Sequence, residues 1–180
     1  MTGYKTHFEG HGEFCVRESS KSSGGWGAWK AFNHIVGREG YHSASGDTYS
    51  NGTYDGTNSL SGYSGAWISL ELPYKIRIDT FKIAARAGWP HRGPVTGVLL
   101  ASNDNVHWDK LHDWSSVTFT DYQYTNFKVN NTDKYSHFAI VATALELSNS
   151  DSVSLQISEW KLFGTREQGQ SVLHDGQLTL

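Results

Sequence analysis

The chain is poor in cysteine, in proline and in clustered positive charge. It has one cysteine, three prolines and, with 15 basic against 18 acidic residues, a formal net charge of -3. Cys15 alone cannot form an internal disulfide, and without a C-x-x-C pair the sequence offers no thiolate metal site. The absence of a Lys/Arg cluster removes the electrostatic footprint that nucleic-acid binding requires, so we expect no nucleic-acid partner.

Long apolar runs are missing as well. No run approaches the length of a membrane span, and the N-terminus has neither the basic region, the apolar core nor the cleavage site of a signal peptide. We therefore expect that a signal was removed or that the chain was cut from a longer protein with further domains.

Aromatic residues and glycines, in contrast, are abundant. The chain is 13 % aromatic and has 19 glycines, a composition typical of a twisted all-β fold in which aromatics fill the pleats and glycines form the turns. A length of 180 residues suits one domain with a sizeable core and is too short for two ordinary domains. We predict one domain over residues 1–165, followed by a linker or tail over residues 166–180.

The strand pattern is clearest in residues 66–114. Ile68, Leu70 and Leu72 alternate with other residues, a period of two that predicts a half-buried strand. Pro73 should break this strand, and a second extended run follows, with a shift in register near Asp79 that predicts a bulge or bend. The whole stretch is typical of consecutive antiparallel strands.

Two later features refine this picture. Residues 136–145, SHFAIVATAL, are apolar on both faces, which predicts a strand covered on both sides. Residues 35–65 are rich in Gly, Ser, Thr, Asn and Tyr without a sustained period, and a loop of that length in a compact domain is usually functional. Trp67, Trp108 and Trp160 fall on predicted strands, so we assign all three to the core.

Three segments together resemble the discoidin-like family, also called coagulation factor V/VIII C-type domains, within the galactose-binding jelly-roll group. They are GAWISLELPYKIRIDTFKIAAR, then LLASNDNVHWDKL, and finally YSHFAIVATAL with LQISEWKLFG. The second segment carries Ser102, Asp104 and Trp108 in an S-x-D-x-x-x-W pattern, and the last ends in E-x-x-x-x-G at residues 159–164. The order and spacing of these segments, over roughly residues 26–165, make the resemblance fairly specific.

The resemblance implies an all-β fold, an eight-stranded antiparallel β-sandwich of jelly-roll type with long loops at one end. The family binds rather than catalyses, so we expect no enzyme. We expect a carbohydrate-binding module, extracellular or on the cell surface, that recognises galactose-type or related glycans in adhesion or surface attachment. A phospholipid-membrane-binding or protein-binding adhesive domain is the alternative, although the loops pair aromatics with Gly, Ser and Asn rather than flanking apolar tips with Lys/Arg.

The loop GWPHRGP, residues 88–94, is the first candidate binding site. A sugar site needs a flat apolar face for the C–H patch of the ring and planar groups for its hydroxyls, which Trp89, His91 and Arg92 would supply. In the alternative interpretation Trp89 packs as a lid over the end of the sandwich and Arg92 pairs with a carboxylate. The residue types leave both interpretations open.

The long loop supplies the second candidate set, with Tyr41 and His42 joined by further tyrosines. Tyrosine offers a rigid face and a hydroxyl at low entropy cost, which suits glycan recognition. For any single tyrosine, a self-packed surface loop is the competing explanation. The binding hypothesis requires this loop and residues 88–94 to lie at the same end of the sandwich.

Family resemblance also implies a calcium ion, held by backbone carbonyls, an Asp in an A-x-D-G segment and the Glu of the last strand. In this chain Asn33 stands where the Asp is expected, His34 stands in the Gly position and Glu159 matches the Glu. An amide oxygen is a hard ligand without the charge of a carboxylate, so the implied structural Ca²⁺ would bind less tightly. Alternatively, Asn33 is a turn residue and Glu159 a surface carboxylate.

The nine histidines do not indicate a zinc enzyme. His7 and His11 have helical spacing, but the glycines around them oppose a helix and the H-E-x-x-H order is absent. No Ser/His/Asp set or carboxylate pair stands out in the sequence either.

Overall fold

The fold is described from a computed structural model, which covers residues 1–146 and 154–166. The tail predicted over residues 166–180 lies outside these ranges, apart from Arg166 at the end of the last strand. Residues 148–152, whose sequence SNSDS predicts a loop, also lie outside them. The strands are β1 (Lys5–Phe8), β2 (Gly12–Glu18), β3 (Tyr41–His42), β4 (Tyr49–Ser50), β5 (Thr53–Tyr54), β6 (Ser59–Leu60), β7 (Tyr63–Ser64), β8 (Ala66–Ala85), β9 (Thr96–Ser102), β10 (Asp109–Trp114), β11 (Thr125–Lys128), β12 (Tyr135–Ala144) and β13 (Gln156–Arg166). Short 3₁₀ helices span Gly24–Trp26, Ala28–Phe32 and Pro90–Arg92. No helix in the described ranges is long and apolar enough to cross a membrane.

Strand β8 belongs to both layers of an antiparallel β-sandwich. Its first part pairs with β2 and β12, and β12 continues through β9 to β10. Its second part pairs with β11 and β13, and β13 in turn pairs with β3. The all-β class and the sandwich are therefore confirmed. The described residues contain thirteen strands rather than the predicted eight. Eight of them have four or more residues and five have only two.

Pro73 does not end a strand, contrary to the prediction. β8 runs through it from Ala66 to Ala85, and Pro73 is exposed. The register against β12 jumps across this point, from Glu71 opposite His137 to Ile76 opposite Tyr135. Proline is tolerated where ladder pairing is interrupted, because no backbone N–H is needed there. The bulge expected near Asp79 is confirmed by the shift in β13 between Phe163 and Gly164.

The space between the two layers holds the main core. Its fully buried side chains include Ile68 and Phe138 from one layer and Ile83, Ile157 and Trp160 from the other. Alternation along each strand points these residues inward, as expected for a sandwich. Burial of this apolar surface is the main source of stability for the scaffold.

A second, smaller cluster covers the outer face of β9 and β12. Val98, Leu100, Ala139 and Val141 form it. Leu60, Tyr63, Trp67 and Trp108 pack over them. The prediction that β12 is covered on both sides is confirmed, whereas the assignment of Trp67 and Trp108 to the central core is wrong. Both are only partly buried, because they pack on the outer side of the sheet.

Candidate functional site

Strand pairing brings distant residues together at one end of the sandwich. β8 ends at Ala85, which pairs with Ile157, and the neighbouring Gln156 pairs with His42 of β3. Gly40 permits this approach, because a Cβ there would lie 2.3 Å from the carbonyl oxygen of Ile157. His42 and Arg86, 44 positions apart in sequence, therefore flank the start of the same strand.

An aromatic stack with an arginine occupies this end. The rings of Trp26 and His42 lie 4.1 Å apart at an interplanar angle of 17°. The Arg86 guanidinium carbon lies 5.1 Å from the ring centroid of Trp26 and 4.0 Å from that of Trp89. Arginine favours such positions because its planar cation is attracted to aromatic faces. We call Trp26, His42, Arg86 and Trp89 the Trp–Arg stack.

Hydrogen bonds hold Arg86 in place. Its Nε donates to the carbonyl oxygen of Arg38 at 2.6 Å, and Nη1 donates to Oε1 of Gln156 at 3.4 Å. The backbone N–H of Ala87 donates to the carbonyl oxygen of Gly37 at 2.8 Å. The long loop and the chain that leaves β8 are thus joined directly.

His42 is a buried, neutral member of the stack. Only 9 % of its surface is exposed, and its Nε2 has no hydrogen-bond partner within the described residues. Burial, aided by the positive charges of Arg86 and Arg92, lowers the pKa of His42 to about 4. The imidazole is therefore uncharged at neutral pH, and each ring nitrogen can act as either a donor or an acceptor according to the tautomer.

The loop of residues 88–94 is ordered around its short helix. The N–H of Gly88 donates to Oδ1 of Asp121 at 2.8 Å, and the carbonyl oxygen of His91 accepts from the N–H of Glu146 at 3.2 Å. Trp89, His91 and Arg92 are all partly buried. Nε of Arg92 is buried without a partner among the described residues. No carboxylate of those residues lies within 4.0 Å of a nitrogen of this guanidinium, so the alternative of a structural ion pair at Arg92 has no support there.

The structure brings the two predicted loops together but separates Tyr41 from the surface. Tyr41 is 0 % exposed, and its hydroxyl donates to the carbonyl oxygen of Ser20 at 2.8 Å. Because neighbours in a strand face opposite sides, His42 rather than Tyr41 lies beside Arg86. The proposal of Tyr41 as a ligand contact is corrected: its side chain is part of the core.

Sequence reasoning missed Trp26 and Arg86. The sequence predicts that Trp26 is a core or staple residue. In the structure its ring stacks on His42 and is partly exposed. Arg86 directly follows the buried pair Ala84 and Ala85. That position just beyond a predicted strand, three residues before Trp89, was the available signal.

Glu159 and Asn33 are the two side chains that the family resemblance assigns to the implied calcium ion. Glu159 is 0 % exposed, so the expectation of a surface carboxylate is wrong. Its Oε2 accepts from the N–H of His34 at 3.0 Å, while Oε1 has no partner within the described residues. Burial raises the pKa of Glu159 to about 8, and the nearby charge of Lys161 offsets this only in part.

Asn33 offers a weaker ligand. Its Oδ1 accepts from the N–H of Ile35 at 3.0 Å, which leaves one lone pair on the amide oxygen. The described residues contain no group of three or more His, Cys, Asp or Glu side chains that could hold a metal. The unpaired oxygen of Glu159 fits one calcium ligand, and main-chain carbonyls or water would have to complete a shell of about six to eight oxygens.

An open groove of about 500 Å³ borders the loop of residues 88–94, since its lining residue Glu146 donates its N–H to the carbonyl oxygen of His91. It is lined by Asn51, Gly52, Thr53, Val95, Thr96, Ser116, Val117, Thr118, Ala144, Leu145 and Glu146. Among these described residues there is no aromatic ring and no basic side chain. The groove has room for a ligand but lacks the planar groups that bind sugar rings, so the Trp–Arg stack is the stronger candidate site.

Comparison with known proteins identifies the fold. No protein-family model matches the chain, and no curated protein sequence matches it. Among solved structures, the CBM32-5 module of CpGH89 from Clostridium perfringens, in complex with GalNAc-β-1,3-galactose, superposes with a TM-score of 0.61 at 20 % identity, covering 84 % of this chain and 95 % of that one. The family 32 module of NanJ from C. perfringens, in complex with galactose, gives 0.55 at 11 % identity over 83 % and 92 %.

The C-terminal domain of a chitobiase from Bacteroides fragilis is also similar, with a TM-score of 0.57 at 16 % identity over 91 % of this chain and 99 % of that one. The chain therefore has the galactose-binding-like, discoidin-type β-sandwich fold, as the sequence resemblance implied. At these identities the likeness establishes the fold and leaves the ligand to the site itself.

Proposed function

We propose that the protein is a carbohydrate-binding module whose site is the Trp–Arg stack with the adjoining loop of residues 88–94. The observation that carries the proposal is the convergence of Trp26, His42, Arg86 and Trp89 from three separate segments at one end of the sandwich. Flat aromatic faces beside planar hydrogen-bonding groups are the combination that a sugar ring requires.

Each member of the site has a distinct role. Trp89 and Trp26 present indole surface to the C–H patch of a sugar, and Arg86 sets their spacing. The free N–H groups of Arg86 and Arg92 meet the ring hydroxyls, each of which both donates and accepts, while His42, whose Nε2 is buried, packs against Trp26. His91 sits at the rim of the loop, where its ring can extend the contact.

A galactose-type sugar is the ligand we favour. Two structural neighbours were determined with galactose or GalNAc-β-1,3-galactose bound. Galactose presents one continuous C–H patch, which matches a tryptophan face. The module would bind without catalysing, attaching a longer parent chain to glycans outside the cell or at its surface.

We further propose that a structural Ca²⁺ is bound at Glu159. A fully buried carboxylate oxygen without a partner is costly, and a hard cation would compensate it. Asn33 would supply a second, neutral oxygen. The ion would brace the segment that follows the Ala28–Phe32 helix against β13.

Titration calorimetry with lactose tests the binding proposal. Trp89→Ala should weaken lactose binding by at least about tenfold, equivalent to about 1.4 kcal/mol, because the stacking face is lost. Phe163→Ala is the matched control: Phe163 is another partly buried aromatic with a cation over its ring, Lys82 at 5.0 Å, on β13 away from the stack. It should bind lactose as tightly as the wild type.

The competing lipid function has its own readout. Saturable binding to phosphatidylserine vesicles, together with no binding across a panel of galactose-containing glycans, would overturn the carbohydrate proposal. Equal lactose affinity in the wild type and in Trp89→Ala would instead remove the Trp–Arg stack as its site.

A further inference from the structure

Three arginines meet at the candidate site without acidic partners. Arg38, Arg86 and Arg92 have no carboxylate within 4.0 Å in the described part of the chain, whereas Arg17 pairs with Glu71 and Arg77 with Asp79. Two carboxylates that adjoin these segments are engaged by other groups. Glu39 pairs with Lys30 at 2.9 Å, and Asp121 accepts the N–H of Gly88.

Two of these arginines lie close enough to Arg86 to affect its pKa. Burial lowers the pKa of Arg86, and the charges of Arg92 and then Arg38 lower it further. The charges of Arg86 and Arg92 also contribute to the lowered pKa of His42. Glu39 and Asp121 lie near the Trp–Arg stack but bond to Lys30 and to the N–H of Gly88, so within the described residues the three guanidinium groups have no ion-pair partner.

The donor capacity of the cluster is largely unused. Arg86 has five N–H groups, of which the bonds to Arg38 and Gln156 use two. Nε of Arg92 is buried and unpartnered. A buried donor left unsatisfied destabilises the folded state, as does repulsion between neighbouring cations. An anion bound to the accessible N–H groups of Arg86 and Arg92 would offset the repulsion between these cations.

We infer that the site selects glycans that carry an anionic group, a carboxylate or a sulfate ester, beside the sugar ring that packs on Trp89. This inference rests on the proposed carbohydrate function and specifies its ligand class. Guanidinium groups bind both kinds of oxyanion through paired N–H bonds, and such charge-assisted bonds are roughly twice as strong as neutral ones. Trp26 and Trp89 fix the plane of Arg86 in advance, which reduces the entropy lost on binding.

Matched pairs of sugars test the inference. Calorimetry would compare α-1,4-digalactose with α-1,4-digalacturonic acid, and lactose with lactose 6′-sulfate, all at low ionic strength. In at least one pair the anionic member should bind about tenfold more tightly, and the ratio of affinities should shrink as salt is raised. The pair that shows the preference identifies the anion.

Two variants locate the effect. In Arg92→Gln the ratio of anionic to neutral affinity should fall towards one, with folding checked by circular dichroism. Arg166→Gln is the control, because Arg166, like Arg86, lies 4.0 Å from an aromatic centroid, that of Tyr74, but at the opposite end of β13 from Gln156. It should keep the wild-type ratio.

The results separate the inference from the function on which it rests. Equal binding of both members of each pair, or tighter binding of the neutral member, would overturn the anionic preference and leave the carbohydrate function standing. A preference that survives in Arg92→Gln would also contradict the inference. Binding to no sugar in either pair would count against both proposals.

Discussion

His42 carries the clearest electrostatic signature at the scale of single residues. Its ring packs against Trp26 and faces the charges of Arg86 and Arg92, so protonation would place a further positive charge in a crowded, buried position. The native structure therefore disfavours the charged form of the imidazole. The unfolded chain does not, because there the side chain has its ordinary pKa near 6.5.

This difference predicts a loss of stability in acid. The folded pKa of about 4 lies below the unfolded value, so between about pH 6.5 and pH 4 the unfolded state binds more protons and the free energy of unfolding rises with pH. Above about pH 6.5, His42 makes its full contribution to the free energy of unfolding. At pH 4.5 this contribution should be smaller by about 2 kcal/mol.

Urea denaturation at pH 7 and pH 4.5 measures this effect. Subtracting the values for His42→Gln removes the contributions of other titrating groups, so the wild type should lose about 2 kcal/mol more than the variant. His107→Gln, at an exposed histidine beside Asp104, is the comparison. Because it retains His42, its free energy of unfolding should still fall between pH 7 and pH 4.5, as in the wild type. Identical pH dependence in the wild type and His42→Gln would show that His42 is not held neutral.

At the scale of elements, the long loop owes its shape to Asp47. This carboxylate is 2 % exposed and accepts hydrogen bonds from Ser19, Ser20, Tyr54 and Asn58. These bonds join the segment after β2 to both arms of the loop. A loop that looks irregular in sequence is therefore held together by hydrogen bonds to one buried carboxyl group. Ser20 also accepts the N–H of Ala44, which ties β3 and its His42 to the same framework.

The calcium proposal also belongs to this scale, because the ion would link two elements. With calcium at about 100 times its Kd, linkage adds about 2.7 kcal/mol to the free energy of unfolding. For a chain of this length, chelation should then lower Tm by about 5–10 °C. Differential scanning fluorimetry with and without EDTA provides the measurement.

Glu159→Gln separates a specific ion from general salt effects. The amide removes the charge that the ion would compensate, so Tm should no longer respond to calcium. Glu146→Gln, at an exposed carboxylate, should respond as the wild type does. A wild-type Tm that is the same in calcium and in EDTA would refute the proposed ion.

At the scale of the whole molecule, the scaffold was largely predictable and the site only in part. Period-two alternation at Ile68, Leu70 and Leu72 identified the start of β8, because burial of one face imposes that pattern. β12 was identified by apolar residues on both faces, as in a strand covered on both sides. The passage of β8 through Pro73 was not predictable. It depends on an interruption in the pairing of β8 with β12, a strand about 60 residues later in the chain. The partial exposure of Trp67 and Trp108 likewise depends on distant contacts, because both pack with Leu60 and Tyr63 on the outer face of β9 and β12.

The site shows the same division between local and distant causes. Trp89, His91 and Arg92 were recognisable because they share one short loop. Trp26 was not, since its role depends on stacking with His42, which pairing of β3 with β13 brings into place. Tyr41 and His42 were equivalent in sequence, and only the facing of β3 decided between them. Long-range pairing, rather than residue type, made that choice.

An NMR titration of the ¹⁵N-labelled protein with lactose tests the central claim most directly. The account predicts saturable shifts in the indole N–H signals of Trp26 and Trp89 and in the backbone amides of residues 42 and 86–92, with the groove around Thr53 and Thr96 unaffected. Shifts confined to that groove, or no shifts at saturating lactose, would contradict the claim that this end of the sandwich is a sugar-binding site.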